Sequence, residues 1–195
     1  MDYRELKDKH KGEKIMVVGC GTSTSTLTNP QDHITIGVND ISRLFTPNYL
    51  VVLNDKTSFK HDRWNWIENS TCPYIFTHIK GLAIKDEQKI LLQLGRYGGS
   101  DLEKDAVDYT SNSTYVACII AAYMGATKIG ILGVDFTVNH FFAETGEHTL
   151  SRKISTINNE YMVLNGAMNK KGIEMVNLSA ISRISCLTKQ TIEEF

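Results

Sequence analysis

No stretch of this 195-residue chain stays apolar for long. Runs such as 15–18 and 49–53 fall far short of the roughly 20 residues that a membrane-spanning helix needs, so no span is expected. An excess of charge is lacking too: 21 Lys and Arg stand against 22 Asp and Glu, a formal net charge of -1. No whole-molecule field therefore draws the chain to nucleic acid or an anionic membrane, and any such partner has to be held by a local patch. The four cysteines, Cys20, Cys72, Cys118 and Cys186, form no C-x-x-C pair. That spacing points to buried thiols and away from a disulfide framework or a zinc site. The first 14 residues, MDYRELKDKHKGEK, hold no apolar segment of signal-peptide type, which gives the expectation of a cytoplasmic protein. Internal repeats and low-complexity linkers are absent, and a composition of 42% hydrophobic and 22% charged residues is that of an ordinary folded domain. One domain over 1–195, with its core at about 14–180, is expected.

What the chain does hold is a series of short, continuous apolar runs: 14–18 (KIMVV), 34–38 (ITIGV), 49–53 (YLVVL), 74–77 (YIFT), 128–132 (KIGIL) and 173–177 (IEMVN). Continuous rather than alternating hydrophobicity marks strands of a parallel sheet covered on both faces by helices. Helical spacing over 113–124 and 156–170 supplies two such helices, with Gly125 and Gly172 placed to end them. The alternation predicts an α/β, Rossmann-like domain with a mostly parallel sheet. The segment 81–108 breaks the rhythm and reads as an irregular excursion, with a short helix over 86–94 and the glycine-rich GRYGGSD. It is expected to be a binding loop, lid or subunit contact, or a plain surface insertion.

Candidate chemistry gathers at the carboxyl ends of the predicted strands, where open α/β sheets bind ligands. VVGCGTSTSTL places Gly19, Cys20, Gly21, Thr22 and Ser23 after the first strand, where glycines admit close backbone approach and a Ser/Thr run can start a helix over a phosphate. No Gly-Lys-Ser/Thr follows and Thr24 replaces the third glycine, so the turn is neither a P-loop nor a full dinucleotide fingerprint. The next two strands end in Asn39-Asp40 and Asn54-Asp55, and a later one in Gly133-Val134-Asp135-Phe136. Hydroxyls of Ser113 and Thr114 open the first helix. Beyond Asp135, His140, Glu144 and His148 are spaced by four, but the zinc-protease H-E-x-x-H pattern is missing. A general base or a plain surface histidine suits this stretch better than a metal ligand, with His148 the stronger candidate for the base. Trp64 and Trp66 could stack on a base or sugar or pack at a helix edge, and Lys56, Lys60, His61 and Arg63 read as a basic patch or a solvated helix face.

These motifs, in this order, resemble two groups: the bacterial sialyltransferases of glycosyltransferase family 42, and the 6-hydroxymethylpterin pyrophosphokinase-like proteins that also occur in phage and bacteria. The resemblance spans about 14–180 and is most specific over 111–136. For the first group it implies a GT-A-like fold and transfer of a sugar from a nucleotide-activated donor, with no obligatory metal. Gly19 to Ser23, Asn39, Ser113 and Thr114 would then hold the donor, joined by Asp40, Asn54 and Asp55 from their place at the strand ends, with Cys20 and Thr22 standing where that family has asparagine and proline. His148 would deprotonate the acceptor and Asp135 would position sugar or acceptor. The acceptor is left open among a glycan, a small molecule and a modified DNA base, and a homo-oligomer is open too. The second group implies a magnesium-dependent pyrophosphokinase with Asp40, Asp55 and Asp135 around the metal. A non-catalytic nucleotide-binding module is the remaining alternative.

Overall fold

The structure, a computed structural model, describes residues 2–145 and 149–195. Its strands run β1 (Lys14–Val18), β2 (Ile34–Val38), β3 (Tyr49–Val51), β4 (Ile75–Thr77), β5 (Lys89–Leu91), β6 (Gln93–Tyr97), β7 (Ala106–Tyr109), β8 (Lys128–Leu132), β9 (Glu174–Asn177) and β10 (Thr188–Lys189). Three α-helices are interspersed among the described residues: α1 (Arg63–Glu68), α2 (Ser113–Tyr123) and α3 (Ile154–Lys170). Eight strands form one parallel sheet in the order β10-β9-β8-β1-β2-β3-β4-β5. The chain moves outward from β1 to β5 and returns through α2 to β8 on the other flank of β1. Connections therefore diverge at the β1–β8 boundary, and a crevice opens beyond the strand ends there.

The continuous apolar runs are accounted for by two cores. Along β1, Ile15 and Val17 face a core shared with α2 and α3, whereas Met16 and Val18 face one shared with Trp64 and Ile67 of α1. Successive side chains of a strand point to opposite faces, so a strand buried on both faces must be apolar at every position. α2 is buried at all eleven residues, so it is apolar all round and shows little amphipathic pattern. Gly125 and Gly172 sit just beyond α2 and α3 with φ of 88° and 72°, as the C-cap reading expects.

The segment 81–108 differs from the sequence-based expectation. It is largely regular: β5 extends the sheet edge, and β6 pairs with β7, which packs on α2. The expected helix over 86–94 is a single 3-10 turn, Asp86–Gln88, followed by β5 and the start of β6. Two of its glycines, Gly95 and Gly99, answer to a packing demand. The buried carboxylate of Asp108 accepts from the Arg96 and Asp101 backbone N–H at 2.7 and 2.9 Å. A Cβ at Gly99 would lie 2.1 Å from one of its oxygens. The turn is wrapped around an anion, and only glycine permits that approach.

Gly166 is the opposite case, exposed in mid-α3, where a Cβ would meet nothing within 4 Å. Gly166→Ala is expected to raise stability by about 0.5–1 kcal/mol, read as a higher urea midpoint at unchanged slope.

Candidate functional site

The crevice holds a cavity of about 300 Å³ lined from four strand ends: Gly19 to Gly21 after β1, Val38 and Asn39 after β2, Asn54 after β3, and 133–137 after β8. The first turn of α2 lies against it through Ser113 and Thr114, and Arg63, Phe59, Asn139 and His140 complete the wall. The cavity is at the small end of the range for small-molecule sites.

One buried carboxylate builds much of this architecture. Asp135 accepts the Ser23 backbone N–H at 2.8 Å, the Ser23 hydroxyl at 2.7 Å and the Ser179 hydroxyl at 2.6 Å. The Ser23 oxygen in turn accepts the Gly133 N–H at 3.0 Å. This cross-link brings the turns after β1 and β8 into direct contact: a Cβ on Gly133, whose φ is 69°, would meet Thr24 Oγ1 at 1.9 Å. The Ser/Thr run is therefore not the start of a phosphate-binding α-helix. It is a short 3-10 turn, Thr22–Thr26, and the Ser23 N–H that a phosphate would use is taken by Asp135. Ser23 and Thr22 lie behind the cavity, on a neighbouring groove.

Asp40 is also withdrawn. Its fully buried carboxylate receives Arg63 through Nε at 3.0 Å and Nη2 at 2.6 Å, and the Cys20 thiol donates to it at 3.7 Å. Burial first, and the Asp40 charge second, push the Cys20 thiol well above its usual range, so it stays protonated as a hydrogen-bond donor. Asp55 is exposed and away from the cavity wall. The three aspartates that a magnesium-dependent pyrophosphokinase would need thus do not converge: one is in an ion pair, one is saturated by serine donors and one faces solvent.

Thr114 is committed as well, its hydroxyl donating to Asn112 Oδ1 at 2.6 Å and lying 2.8 Å from the Tyr161 hydroxyl, while Asn112 caps α2 through the Thr114 N–H. Ser113 and Asn39 are polar groups left for a ligand. Ser113, at the first position of α2, makes no side-chain hydrogen bond among the described residues. Asn39 holds a left-handed backbone, φ 54°, at the end of β2, and its Oδ1 is buried without a partner. An unsatisfied buried carbonyl costs free energy that a donor from a ligand would return.

Two residues carry more than their sequence context indicates. Arg63 is a neighbour in sequence of Lys56, Lys60 and His61; those three are exposed, but Arg63 turns inward onto Asp40. His140, the weaker of the two histidine candidates by sequence, lines the cavity, bridged to Gly21, with Nδ1 2.5 Å from Thr145 Oγ1. His148 lies outside the described residues. The tryptophans do not form a platform: Trp64 is buried in the α1 core, and Trp66 is exposed beneath Arg43.

The architecture is an α/β domain of the Rossmann-like type seen in glycosyltransferases. No protein-family model matches the sequence, and no curated protein matches it. Among solved structures, the chain is similar to the sialyltransferase CstII from Campylobacter jejuni in complex with cytidine-5'-monophosphate, at 17% identity and a TM-score of 0.56, covering 92% of this chain and 85% of that one. The same sialyltransferase with a trisaccharide acceptor and CMP matches at 12% identity and a TM-score of 0.54, over 91% and 85%. The MAf glycosyltransferase from Magnetospirillum magneticum AMB-1 matches at 11% identity and a TM-score of 0.61, over 97% of this chain but 35% of that one. At these identities the likeness is one of fold. These fold neighbours are glycosyltransferases, and none of them is a pyrophosphokinase. No described helix is long and apolar enough to cross a membrane.

Proposed function

We propose that the protein is a glycosyltransferase that holds a nucleotide-activated sugar in the crevice between β1, β2 and β8 and transfers the sugar to an acceptor hydroxyl. The observation that carries this reading is Asn39: a buried, unpartnered amide oxygen, set on a left-handed residue at the rim of a switch-point crevice, is a built acceptor for a donor group of a base or ribose. The likeness in fold to a sialyltransferase in complex with cytidine-5'-monophosphate supports a nucleotide sugar as the ligand class. Ser113 contributes a hydroxyl and Gly19 and Gly21 allow close approach, while Asp135 acts as a positioning residue for the glycine turn. A histidine of the segment after β8, His148 or the wall residue His140, removes the acceptor proton as the acceptor oxygen bonds to the anomeric carbon and the nucleotide leaves with its phosphate oxygen.

Titration with CMP, UMP, GMP and their sugar conjugates tests this, together with product analysis after long incubation. One nucleotide class is expected to bind and its sugar conjugate to be consumed. Asn39→Gly, which suits the φ and removes the amide, is expected to weaken that nucleotide about 10- to 100-fold while stability changes by less than about 1 kcal/mol. Tight binding with the conjugate intact would make the protein a nucleotide-binding module; no nucleotide binding at all would end the proposal.

A further inference from the structure

We propose that Arg63 is the oxyanion-binding residue of the crevice, taking a phosphate or carboxylate oxygen of the ligand through Nη1 while Asp40 holds the rest of its guanidinium. This deepens the reading above and rests on the crevice being the ligand site.

Four observations converge on it. First, the backbone donors that a glycine turn usually offers an anion are largely spent. Gly19 N–H goes to Leu132 O at 2.7 Å, Gly21 N–H to Gly133 O at 2.8 Å, and Ser23 N–H to Asp135. Second, among the described wall residues Arg63 is the lone lysine or arginine, with 14% of its side chain exposed. Third, Asp40 engages Nε and Nη2, so Nη1 alone lacks a hydrogen-bond partner among the described residues. Fourth, the guanidinium carbon lies 5.2 and 5.3 Å from the ring centres of Phe59 and Phe142, which restrict its swing. The charge is fixed before a ligand arrives, and an arginine so held loses little freedom on binding an oxyanion.

Electrostatic placement agrees. The crevice carries two buried carboxylates, one after β8 and one after β2, on opposite flanks of β1. The Asp135 carboxylate is hydrogen-bonded by neutral serine groups and forms no ion pair among the described residues, so it disfavours an anion on its flank. Asp40 is neutralised by Arg63, so the β2 flank is where a negative group can be accepted. A nucleotide phosphate and the carboxylate of an acidic sugar share this chemistry, and the test separates them.

Binding of inorganic pyrophosphate, cytidine, CMP and CMP-N-acetylneuraminate is measured calorimetrically on wild type, Arg63→Lys, Arg63→Gln and the double variant Asp40→Asn/Arg63→Gln. The double variant keeps the buried pair uncharged, so folding is not compromised by a lone carboxylate. Pyrophosphate and CMP are expected to weaken at least about tenfold in both glutamine variants, with cytidine within about twofold and lysine in between. Loss confined to CMP-N-acetylneuraminate would assign the oxyanion to the sugar carboxylate. Equal affinity of wild type and the folded double variant for every probe overturns the inference, as does a wild type that takes up none of the oxyanions. A transfer assay keeps the two readings apart. Oxyanion binding through Arg63 without sugar transfer sinks the transferase reading alone, and undiminished transfer by the double variant sinks the Arg63 assignment alone.

Discussion

Asp135→Ala is expected to lower stability by about 3–5 kcal/mol, because three buried donors lose their acceptor at about 1–3 kcal/mol each before the hydroxyls rotate to new partners. The donors are the Ser23 N–H, the Ser23 hydroxyl and the Ser179 hydroxyl. Asp135→Asn keeps one carbonyl oxygen but turns an amide toward a donor, so it falls between alanine and wild type. Ser179→Ala removes one donor and keeps the acceptor, at about 1 kcal/mol. Urea denaturation of the four proteins gives the series. Because the carboxylate sets the spacing of the turns after β1 and β8, ligand affinity should fall in the same order. An Asp135→Ala protein of wild-type stability but without turnover would mean that the carboxylate serves the reaction directly and not the architecture.

The second large effect concerns the proton acceptor. His148→Ala is expected to reduce kcat by about 10²- to 10⁴-fold, the usual contribution of a general base, with donor affinity within about twofold. His140→Ala is expected to act differently. The His140 backbone bridges to Gly21 and the Phe141 N–H donates to the Cys20 carbonyl at 3.1 Å, so this part of the chain is stitched to the glycine turn, and His140 lines the cavity. Its loss should raise the donor Kd as well as lower kcat. If His140→Ala shows the pure kcat effect and His148→Ala leaves turnover intact, the base is His140.

Much of the sheet is legible in the sequence because its inner strands are buried on both faces and have no reason to alternate. The runs at 14–18, 34–38 and 128–132 match β1, β2 and β8 to the residue. The crevice is legible for a related reason, since strand ends in a parallel sheet share one rim, and Gly19, Gly21, Asn39, Asn54, Ser113 and Asp135 all reach it. What sequence alone hides are the pairings over long separations. Arg63 looks solvated because its partner Asp40 is 23 positions away. The Ser/Thr run looks like a phosphate cradle because the carboxylate that claims Ser23 lies 112 positions on. The glycines near 95–99 read as part of an irregular loop, whereas Gly95 and Gly99 make room for Asp108. In each case a local pattern with two meanings is decided by a tertiary contact.

The complete burial of α2 has a consequence for how such a protein can diversify. Its first turn is the floor of the crevice, and every residue behind that turn is locked between the sheet and the surrounding elements. Substitutions in the floor disturb the packing of the whole domain, and compensating changes would have to arise at several distant positions together. The rim beyond β3 is under no such restraint: Asn54 and Ser58 are exposed. Drift toward new substrates is therefore channelled through the rim, over a floor that stays nearly constant.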